Sequence, residues 1–386
     1  MGVFGDDQSL VFTLRILHLS SAQALGGGER HLIDLVRGLS ACGHELFVAL
    51  RPNSPLSGEL ANLSPQNFLE LPLRNAIDAK SAGRLAAFVR RRQIQVVHAH
   101  MARDYPIAAY ATRRHPFSKL IVTRHVLFPL SRLHRVTLSR VARVIAVSEA
   151  VGRQLRAEKL VPPQKISVVH NGIDLTRFDS AISSFNRQQF CRDRGVPANS
   201  LLVGSVGSLN PLKGHEDFLR AAHQIGALFP SAHFIVAGVD VTPAQANLAN
   251  LQSLIGELGL NSRISLIGKM ADITPLYCAL DVFVSASRTE SFGLAIAEAM
   301  AAGTPVVATQ TEGALEIIRD GETGLLTPLG EINSLAAAIS TLLENDQRRL
   351  SMGRKARDEI RDRFSLKRML DATERIYLEE TNTSRG

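Results

Sequence analysis

Short apolar runs rich in valine and isoleucine alternate with helical patterns along the whole chain, and this alternation constrains the fold most. An apolar run bounded by turn residues predicts a buried strand, and strands separated by helices predict parallel βαβ units. The candidate strands are residues 14–19, 45–50, 68–71, 95–99, 120–123, 144–147 and 166–169, and then 201–206, 233–237, 264–267, 282–284, 305–308 and 324–326.

The length of 386 residues exceeds what one ordinary hydrophobic core holds, so two domains are expected. Residues 174–195 carry no strand pattern, which places the boundary between domains at 1–180 and 181–363. No strand follows the last helical stretch, and we expect residues 364–386 to pack back onto the first domain. Each domain is predicted to be a Rossmann-like, doubly wound α/β sheet, and two facing domains of this kind form a cleft beyond the carboxyl ends of their strands.

Composition excludes several classes of protein. No uncharged apolar run reaches the roughly 18 residues that a membrane-spanning helix needs. Residues 1–9 lack the basic and apolar regions of a signal peptide, and we expect a short disordered start there. Cys42, Cys191 and Cys278 are far apart and form no CxxC, so neither a disulfide framework nor a zinc site is indicated and a reducing cytoplasm is expected.

Basic residues are concentrated in the first half of the chain. The net charge is +8, and the span 84–143 holds 13 lysines and arginines against a single acid, Asp104. Such an excess indicates either an anionic partner or a solvated basic face. Within it, residues 131–143 could form a basic amphipathic segment.

A glycine-rich turn, Gly26-Gly27-Gly28, follows the first candidate strand and precedes a helix that begins near Glu29. Glycines at a helix N-terminus let a phosphate approach backbone N–H groups, although an ordinary flexible loop has the same pattern. A nicotinamide dinucleotide site is disfavoured, because His31 stands where its fingerprint has a third glycine and Arg51, not an acid, follows the second strand. Arg51 would still suit the 2′-phosphate of a phosphorylated nicotinamide dinucleotide, so this alternative stays open.

Two glutamates flank the start of a helix in the second half of the chain. Glu290 lies in the polar turn before the helix, and Glu298 lies one to two turns inside it, among alanines. Gly303 is predicted to end the helix. A carboxylate buried in such a helix needs a partner, which a sugar or ribose hydroxyl pair would supply. The alternative interpretation makes Glu290 a helix cap and Glu298 half of a structural ion pair.

An anion could bind beside these glutamates. The backbone N–H groups of Phe292, Gly293 and Leu294 would be free at the helix N-terminus. Lys213 follows the strand 201–206, where its ammonium group could neutralise a diphosphate, or could simply be a surface lysine.

These motifs together resemble a known family. Residues 290–308 are similar to the E-x7-E signature, with its tail, of the retaining, nucleotide-sugar-dependent glycosyltransferases of family 4 (group 1), which have the two-domain GT-B fold. The resemblance covers nearly the full length. Its further elements are residues 27–30, 97–100, 169–174 and 321–326, the triplet Thr123-Arg124-His125, and the pair Lys213-Gly214.

The resemblance implies roles for individual residues. Glu290 would contact the hydroxyls of the donor sugar, and Glu298 would hold the ribose. Lys213 would bind the diphosphate, and His125 would lie over the sugar near the anomeric carbon. The implied catalytic residues are Glu290, His125 and Lys213, and the implied donor-binding residues are Gly27, Gly28, Ser208, Lys213, Glu290, Phe292, Gly293, Leu294 and Glu298.

The phosphate site departs from the family pattern. Many members have an arginine in a G-R-L context, and this chain has Gly207-Ser208-Leu209 instead. The chain also contains no Asp-x-Asp, the motif with which metal-dependent transferases of the other common fold hold a cation. We therefore expect no metal and no cofactor. His98 and His100 share one face of a strand, but no third ligand has suitable local spacing, so zinc is not expected.

The implied activity is transfer of a hexose-type sugar, with retention, from a UDP- or GDP-sugar to a glycan or lipid-linked acceptor. A basic first domain then favours an anionic membrane surface over nucleic acid as the partner. We therefore expect a role in cell-envelope polysaccharide or lipopolysaccharide biosynthesis, on the cytoplasmic face of the plasma membrane. The alternatives are a nucleotide-sugar epimerase, a phosphorylase, for which no pyridoxal lysine is identified, and a non-catalytic nucleotide-sugar-binding protein.

Overall fold

A computed structural model describes residues 13–382. The chain divides into two compact units, one that ends at Val169 and resumes at Leu370, and one that runs from His170 to Met369. Each unit is an all-parallel sheet with helices on both faces, which is the two-domain GT-B architecture expected from the sequence. The disordered start predicted for residues 1–9 lies outside the described residues.

The first unit contains a seven-stranded sheet with the order β3-β2-β1-β4-β5-β6-β7. Its strands are β1 Arg15–Ser20, β2 Glu45–Leu50, β3 Phe68–Glu70, β4 Val96–Ala99, β5 Lys119–Arg124, β6 Arg143–Ala146 and β7 Ile166–Val168. Its helices are α1 Gly27–Ala41, α2 Leu56–Glu59, α3 Ala79–Arg91, α4 Tyr105–Arg113, α5 His134–Thr137 and α6 Glu149–Glu158.

The second unit contains a six-stranded sheet with the order β10-β9-β8-β11-β12-β13. Its strands are β8 Leu201–Val206, β9 Ala232–Ala237, β10 Ile264–Ile267, β11 Val282–Ser285, β12 Val306–Thr309 and β13 Leu325–Thr327. Its helices are α7 Leu175–Ser184, α8 Arg187–Arg192, α9 His215–Leu228, α10 Ala246–Glu257, α11 Thr274–Ala279, α12 Leu294–Ala301, α13 Glu312–Ile317, α14 Ile332–Leu343 and α15 Asp346–Arg363. The last described helix is α16 Leu366–Asn382, which begins in this unit and continues into the first.

All of the predicted strands form, and the reason lies in their burial. The inner strands are covered on both faces, so they read as continuous apolar runs rather than as alternating patterns. Strand β2 has five of its six residues buried, and β9 is buried throughout. Helix α1 is amphipathic, as its sequence indicates, and buries Leu32, Leu35, Val36 and Leu39 against the sheet.

Two boundaries differ from the sequence predictions. Helix α1 begins at Gly27 rather than near Glu29, because the Glu29 side chain accepts a hydrogen bond from the N–H of Gly26 (2.9 Å) and forms a capping box. The first unit ends at Val169, whereas the sequence placed the boundary after residue 180. Ile173 already exchanges backbone hydrogen bonds with Phe364 and Leu366, at 2.8 and 2.9 Å, within the second unit.

The C-terminal helix is attached to the first sheet through several polar contacts. His44 Nε2 lies 2.8 Å from Glu374 Oε1, and Arg143 Nε donates to Glu380 Oε1 at 2.9 Å. The hydroxyl of Tyr377, which is fully buried, lies 2.5 Å from Nδ1 of His98 on β4. The part of the C-terminal helix that contains Glu374 and Tyr377 is therefore integrated into the first unit.

Gly353 of α15 packs directly on the turn that ends α12. A Cβ atom on Gly353 would lie 2.0 Å from the carbonyl oxygen of Gly303, so Gly353→Ala should cost about 1–3 kcal/mol of unfolding free energy through overpacking. Gly256 of α10 is the matched control, because a Cβ there meets no atom within 4 Å and Gly256→Ala should gain up to about 1 kcal/mol. Urea unfolding followed by circular dichroism measures both, and equal stability of the two variants would contradict this packing.

Candidate active site

Each sheet reverses its strand order at one point, and the predicted site residues collect at these two points. The order reverses between β1 and β4 in the first unit and between β8 and β11 in the second. Ligands of doubly wound sheets bind at such points, beyond the carboxyl ends of the strands. Gly27, Gly28 and His125 lie there in the first unit. The predicted residues in the second unit lie in the loops after β8 and β11 and in α12: Ser208, Lys213, Glu290, Phe292, Gly293, Leu294 and Glu298.

Lys213 and Glu290 form a short ion pair in the second unit. The ammonium group of Lys213 donates to Oε1 of Glu290 at 2.6 Å, and the hydroxyl of Ser287 donates to the same oxygen at 2.7 Å. Glu290 is 12% exposed and Lys213 is 28% exposed, so a small ligand can reach both. The sequence suggested these two residues separately, and the fold brings them into contact from different loops.

The loop that carries Glu290 is held by two glycines. Gly293 precedes α12 with a φ of +99°, a conformation that residues with a side chain rarely adopt. Gly313 N donates to the carbonyl oxygen of Glu290 at 3.0 Å, and a Cβ on Gly313 would lie 2.5 Å from the carbonyl oxygen of Phe292. This close approach fixes the loop at the N-terminus of α12, where the first N–H groups lack intrahelical acceptors.

Glu298 is paired with protein groups. Its Oε2 accepts a hydrogen bond from the hydroxyl of Tyr277 at 2.9 Å, and its Oε1 lies 3.4 Å from Nη2 of Arg177. Burial and the neighbouring carboxylate of Glu298 raise the pKa of Tyr277 well above 10, so the hydroxyl stays protonated and continues to donate. The carboxylate of Glu298 is 18% exposed and is therefore both oriented and accessible.

Ser208 lies in the same loop as Lys213 but does not point its hydroxyl at Glu290. Its Oγ accepts a hydrogen bond from Nδ2 of Asn210 at 2.7 Å, and Oδ1 of Asn210 accepts from the N–H of Leu212 at 2.9 Å. Gly214 then adopts a φ of +65° at the start of α9. The serine thus stabilises the loop locally, and Lys213 supplies its positive charge.

The glycine turn of the first unit packs against the ring of His125. A Cβ on Gly28 would lie 3.4 Å from Cγ of His125, so the absence of a side chain brings the start of α1 next to the imidazole. His125 follows β5, and its Nε2 lies 3.4 Å from Nδ1 of His100 after β4. His100 Nε2 lies 3.0 Å from Nδ1 of His18 on β1.

Five histidines form one cluster at this point of the first sheet, which we call the histidine cluster: His18, His31, His98, His100 and His125. The first four are buried, and His125 is half-buried. His98 is fixed by Thr123 Oγ1 at 2.7 Å and by Tyr377. Burial lowers the pKa of His18 to about 3 and lowers the pKa of His98, His100 and His125 well below 6.5. These rings are neutral at physiological pH and act as hydrogen-bond donors and acceptors, not as cations.

The histidine cluster also contains two groups that could hold a metal ion. The ligand nitrogens of His18, His98 and His100, and those of His31, His100 and His125, lie within 4.8 Å of one another. The sequence disfavours zinc, because no third ligand has suitable local spacing to His98 and His100. In the folded chain, however, histidines from β1, from α1 and from the segment after β5 lie within ligand distance of His100. His98 already has two hydrogen-bond partners, which leaves the second group as the better ligand set.

Three site residues had no clear signal in the sequence. Tyr277 orients Glu298 from α11, Ser287 bonds Glu290, and Arg177 precedes Phe178 in α7. Ser287 is three residues before Glu290, and this proximity alone could have suggested its role. Tyr277 and Arg177 reach Glu298 across 21 and 121 positions, which no local pattern reveals.

Two family models match this chain in succession. Residues 25–177 match the family described as Glycosyltransferase Family 4, and residues 186–359 match Glycosyl transferases group 1. The resemblance inferred from the motifs is thus confirmed. The chain belongs to the group 1 glycosyltransferases of family 4.

Curated relatives include D-inositol 3-phosphate glycosyltransferases of mycobacteria. That of Mycobacterium bovis is 35% identical over 203 residues, which are 52% of this chain and 41% of the relative. That of Mycolicibacterium gilvum is 33% identical over 206 residues, which are 53% of this chain and 45% of the relative. The matches therefore span about half of this chain and less than half of each relative.

Solved structures match over nearly the full length. A glycosyltransferase from Rickettsia africae has a TM-score of 0.84 at 23% identity, with 96% of this chain and 99% of that chain covered. The Anabaena protein Alr3699/HepE in complex with UDP and glucose has a TM-score of 0.80 at 26% identity, with 94% and 98% covered. Both support the GT-B fold.

The buried histidines make stability depend on pH. The pKa values of His18, His98, His100 and His125 lie below the 6.5 of an unfolded histidine, and that of His215 is also lowered, to about 4. Below pH 6.5 these histidines bind protons in the unfolded chain but stay neutral in the folded chain. The free energy of unfolding should therefore decrease as the pH is lowered from 6.5 to about 4. Burial raises the pKa of Asp104 to about 6 and also raises the pKa of Glu29, so these two carboxyl groups oppose part of this loss.

Urea unfolding at a series of pH values measures the slope. Each histidine held neutral contributes up to about 1.4 kcal/mol per pH unit, and His18→Asn should remove about that much of the slope. Gly256→Ala in α10 is the control, because it removes no titratable group, and it should leave the slope unchanged. A stability that stays flat from pH 6.5 to 4 would show that the cluster is not buried as described.

Proposed function

We propose that this chain transfers a hexose from a nucleoside diphosphate sugar to a hydroxyl group of an acceptor, with retention of anomeric configuration and without a metal ion. The observation that carries this proposal is the partly exposed Lys213–Glu290 pair at the N-terminus of α12. It combines a cation for the diphosphate with a carboxylate for sugar hydroxyls. Family membership and the GT-B fold support the same activity.

Lys213 would stabilise the departing diphosphate. Negative charge grows on the leaving phosphate as the bond to the sugar breaks, and a fixed cation lowers the energy of that state. The N–H groups at the start of α12 would add to this effect. Because Ser208 stands where many family members have an arginine, more of the stabilisation would rest on Lys213 here.

Glu290 would orient the sugar rather than attack it. Its Oε1 is already engaged by Lys213 and Ser287, so the second carboxylate oxygen is the one available to a sugar hydroxyl. Retention would then follow from substitution on a single face through an oxocarbenium-like state, with a phosphate oxygen of the donor accepting the proton of the acceptor. In the first unit, the neutral ring of His125 would offer a hydrogen bond to a hydroxyl group without adding charge.

UDP is the nucleotide that we propose for the donor. HepE, which is 25% identical with a TM-score of 0.80 in its complex with UDP-glucose, supports a UDP-hexose over a GDP-sugar. The ribose would be held by Glu298, whose carboxylate Tyr277 and Arg177 orient. Binding assays with UDP-glucose, UDP-N-acetylglucosamine and GDP-mannose would identify the donor.

Lys213→Ala and Glu290→Gln test the site directly. Removal of the ammonium group should lower kcat about 10²–10³-fold, as the loss of a preorganised electrostatic contact does. Glu290→Gln keeps the shape of the side chain and removes its charge, and we expect a loss of about 100-fold or more. Turnover is measured as UDP release from UDP-glucose in EDTA, with a panel of acceptors that includes inositol 3-phosphate.

The matched control is Lys355→Ala, which removes an exposed lysine from α15. It should retain the parent rate, and circular dichroism should show all three variants folded. Near-normal rates for both site variants would refute the site. Activity that EDTA abolishes and magnesium or manganese restores would refute the metal-free reaction. Binding of UDP-glucose without any turnover would instead indicate a sugar-nucleotide-binding protein.

For the acceptor, we propose a glycan or a lipid-linked sugar of the cell envelope, reached at an anionic membrane surface. The segment 131–143 does not form one amphipathic helix, because it is divided into α5, a 3₁₀ turn at Leu138–Arg140 and the start of β6. It nevertheless exposes Leu133 and Val136, at 81% and 70%, beside exposed arginines. None of the helices among residues 13–382 is long and apolar enough to cross a membrane.

Vesicle co-sedimentation tests the membrane surface. The protein should bind vesicles of phosphatidylcholine with phosphatidylglycerol and not vesicles of phosphatidylcholine alone, because each basic residue near an anionic surface adds about 1 kcal/mol. Leu133→Ser with Val136→Ser should weaken binding, whereas Ile77→Ser, at an equally exposed apolar residue before α3, should not. Indifference to both lipids would remove the proposal without affecting the transferase assay.

A further inference from the structure

The first unit has a pocket of about 400 Å³ whose lining contains no residue of the histidine cluster. It opens at the carboxyl ends of β1, β2 and β3, which is the ligand-binding edge of a doubly wound sheet. Its polar lining consists of Gln23, Arg51, Asn53, Ser54 and Arg74. None of the roles assigned above uses any of these residues.

The two arginines make this pocket positive. Neither guanidinium group has a hydrogen bond or ion pair to another residue between positions 13 and 382, and no aspartate or glutamate lines the pocket. The charge of Arg51 still acts on Asp104, and that of Arg74 acts on Asp78, over longer distances. The two nearby carboxylates accept hydrogen bonds from other groups. Asp78 accepts hydrogen bonds from Ser81 N, Ser81 Oγ and Arg74 N, and the buried Asp104 accepts from Ser21 N at 2.8 Å.

The loops that line the pocket are also preorganised. Leu73, just before Arg74, has a φ of +45°, and Asn53 has a φ of +59°, so both loops adopt a backbone that residues with side chains rarely use. Arg103 holds the first of them, because its Nη2 donates to the carbonyl oxygens of Leu73 and Arg74 at 3.0 and 3.1 Å. Arg51 and Arg74 are thus presented on fixed loops, without a carboxylate at ion-pair distance among the described residues.

We propose that this Arg51–Arg74 pocket binds the anionic group of the acceptor, a phosphate monoester or carboxylate on a hydroxylated skeleton the size of a monosaccharide. Two guanidinium groups match the paired oxygens of such an anion. Gln23, Asn53 and Ser54 provide partners for hydroxyl groups, and a volume of about 400 Å³ accommodates a small ligand. The inference rests on the proposed transferase function, because it assigns the acceptor and not the donor.

Isothermal titration calorimetry with the full chain tests the pocket. UDP is kept at saturation so that the Lys213 site is filled, and the probes are glucose 6-phosphate, glucuronate, glucose and short-chain phosphatidylglycerol. The parent protein should bind the anionic probes and not glucose. Tighter binding of the soluble anions than of the lipid would indicate a free acceptor, and the reverse would indicate a lipid headgroup.

Arg51→Ala and Arg74→Ala should each weaken binding of the tightest anionic probe about 10- to 100-fold, as the loss of a charge-assisted hydrogen bond does. Arg84→Ala, at an exposed arginine of α3 outside the pocket, should change nothing. Affinity for UDP should be unchanged in all three variants, which also confirms that they are folded.

The outcomes separate the inference from the proposed function. If the parent binds UDP but none of the anions, or if both arginine variants bind them as the parent does, the pocket is not the acceptor's anion site and the transferase proposal stands. If the parent binds neither UDP nor any nucleotide sugar, the transferase proposal fails. Anion binding that still depends on Arg51 and Arg74 would then leave a site without its proposed reaction.

Discussion

A carboxylate placed in a buried helix must be paired, and this requirement organises the second unit. Helix α12 consists largely of small apolar residues and packs between β11, β12 and α15, so Glu298 enters a largely apolar environment. Tyr277 and Arg177 satisfy it from α11 and α7, while Lys213 and Ser287 satisfy Glu290. Both glutamates keep part of their surface exposed, so they are oriented by the protein and still available to a ligand.

The fold was predictable because both sheets are parallel and buried on both faces. Continuous apolar runs such as residues 144–147 and 282–284 leave little choice other than inner strands, and the structure has β6 and β11 at those positions. Strand ends shifted by a residue where ladder hydrogen bonds continue past the apolar run. Strand β5, for example, extends from Leu120–Thr123 to Lys119 and Arg124. The start of α1 moved because Glu29 acts as a capping side chain, which a pattern of apolar residues does not register.

The site was predictable only where its residues are close in sequence or match a family motif. Glu290 and Glu298 were found through a spacing within one loop and helix, whereas the contacts of Glu298 with Arg177 and Tyr277 depend on packing between elements. The same limit applies to metal ligands. His98 and His100 looked isolated, yet the strand order brings His18 and His125 beside His100. The prediction that residues 131–143 form one amphipathic segment is wrong, because Val141 is buried and β6 begins at Arg143.

The two sheets handle polar groups at their reversal points in opposite ways, and this difference bears on what each can bind. The first unit fills its reversal point with histidines that burial keeps neutral, so it suits uncharged hydroxyl groups there. The positive charges of Arg51 and Arg74 lie away from this point of the first sheet, beyond the carboxyl ends of β2 and β3. The second unit places an ion pair and a helix N-terminus at its reversal point, where an anion gains most. An uncharged hydroxyl group therefore suits the reversal point of the first unit, and an anion suits that of the second.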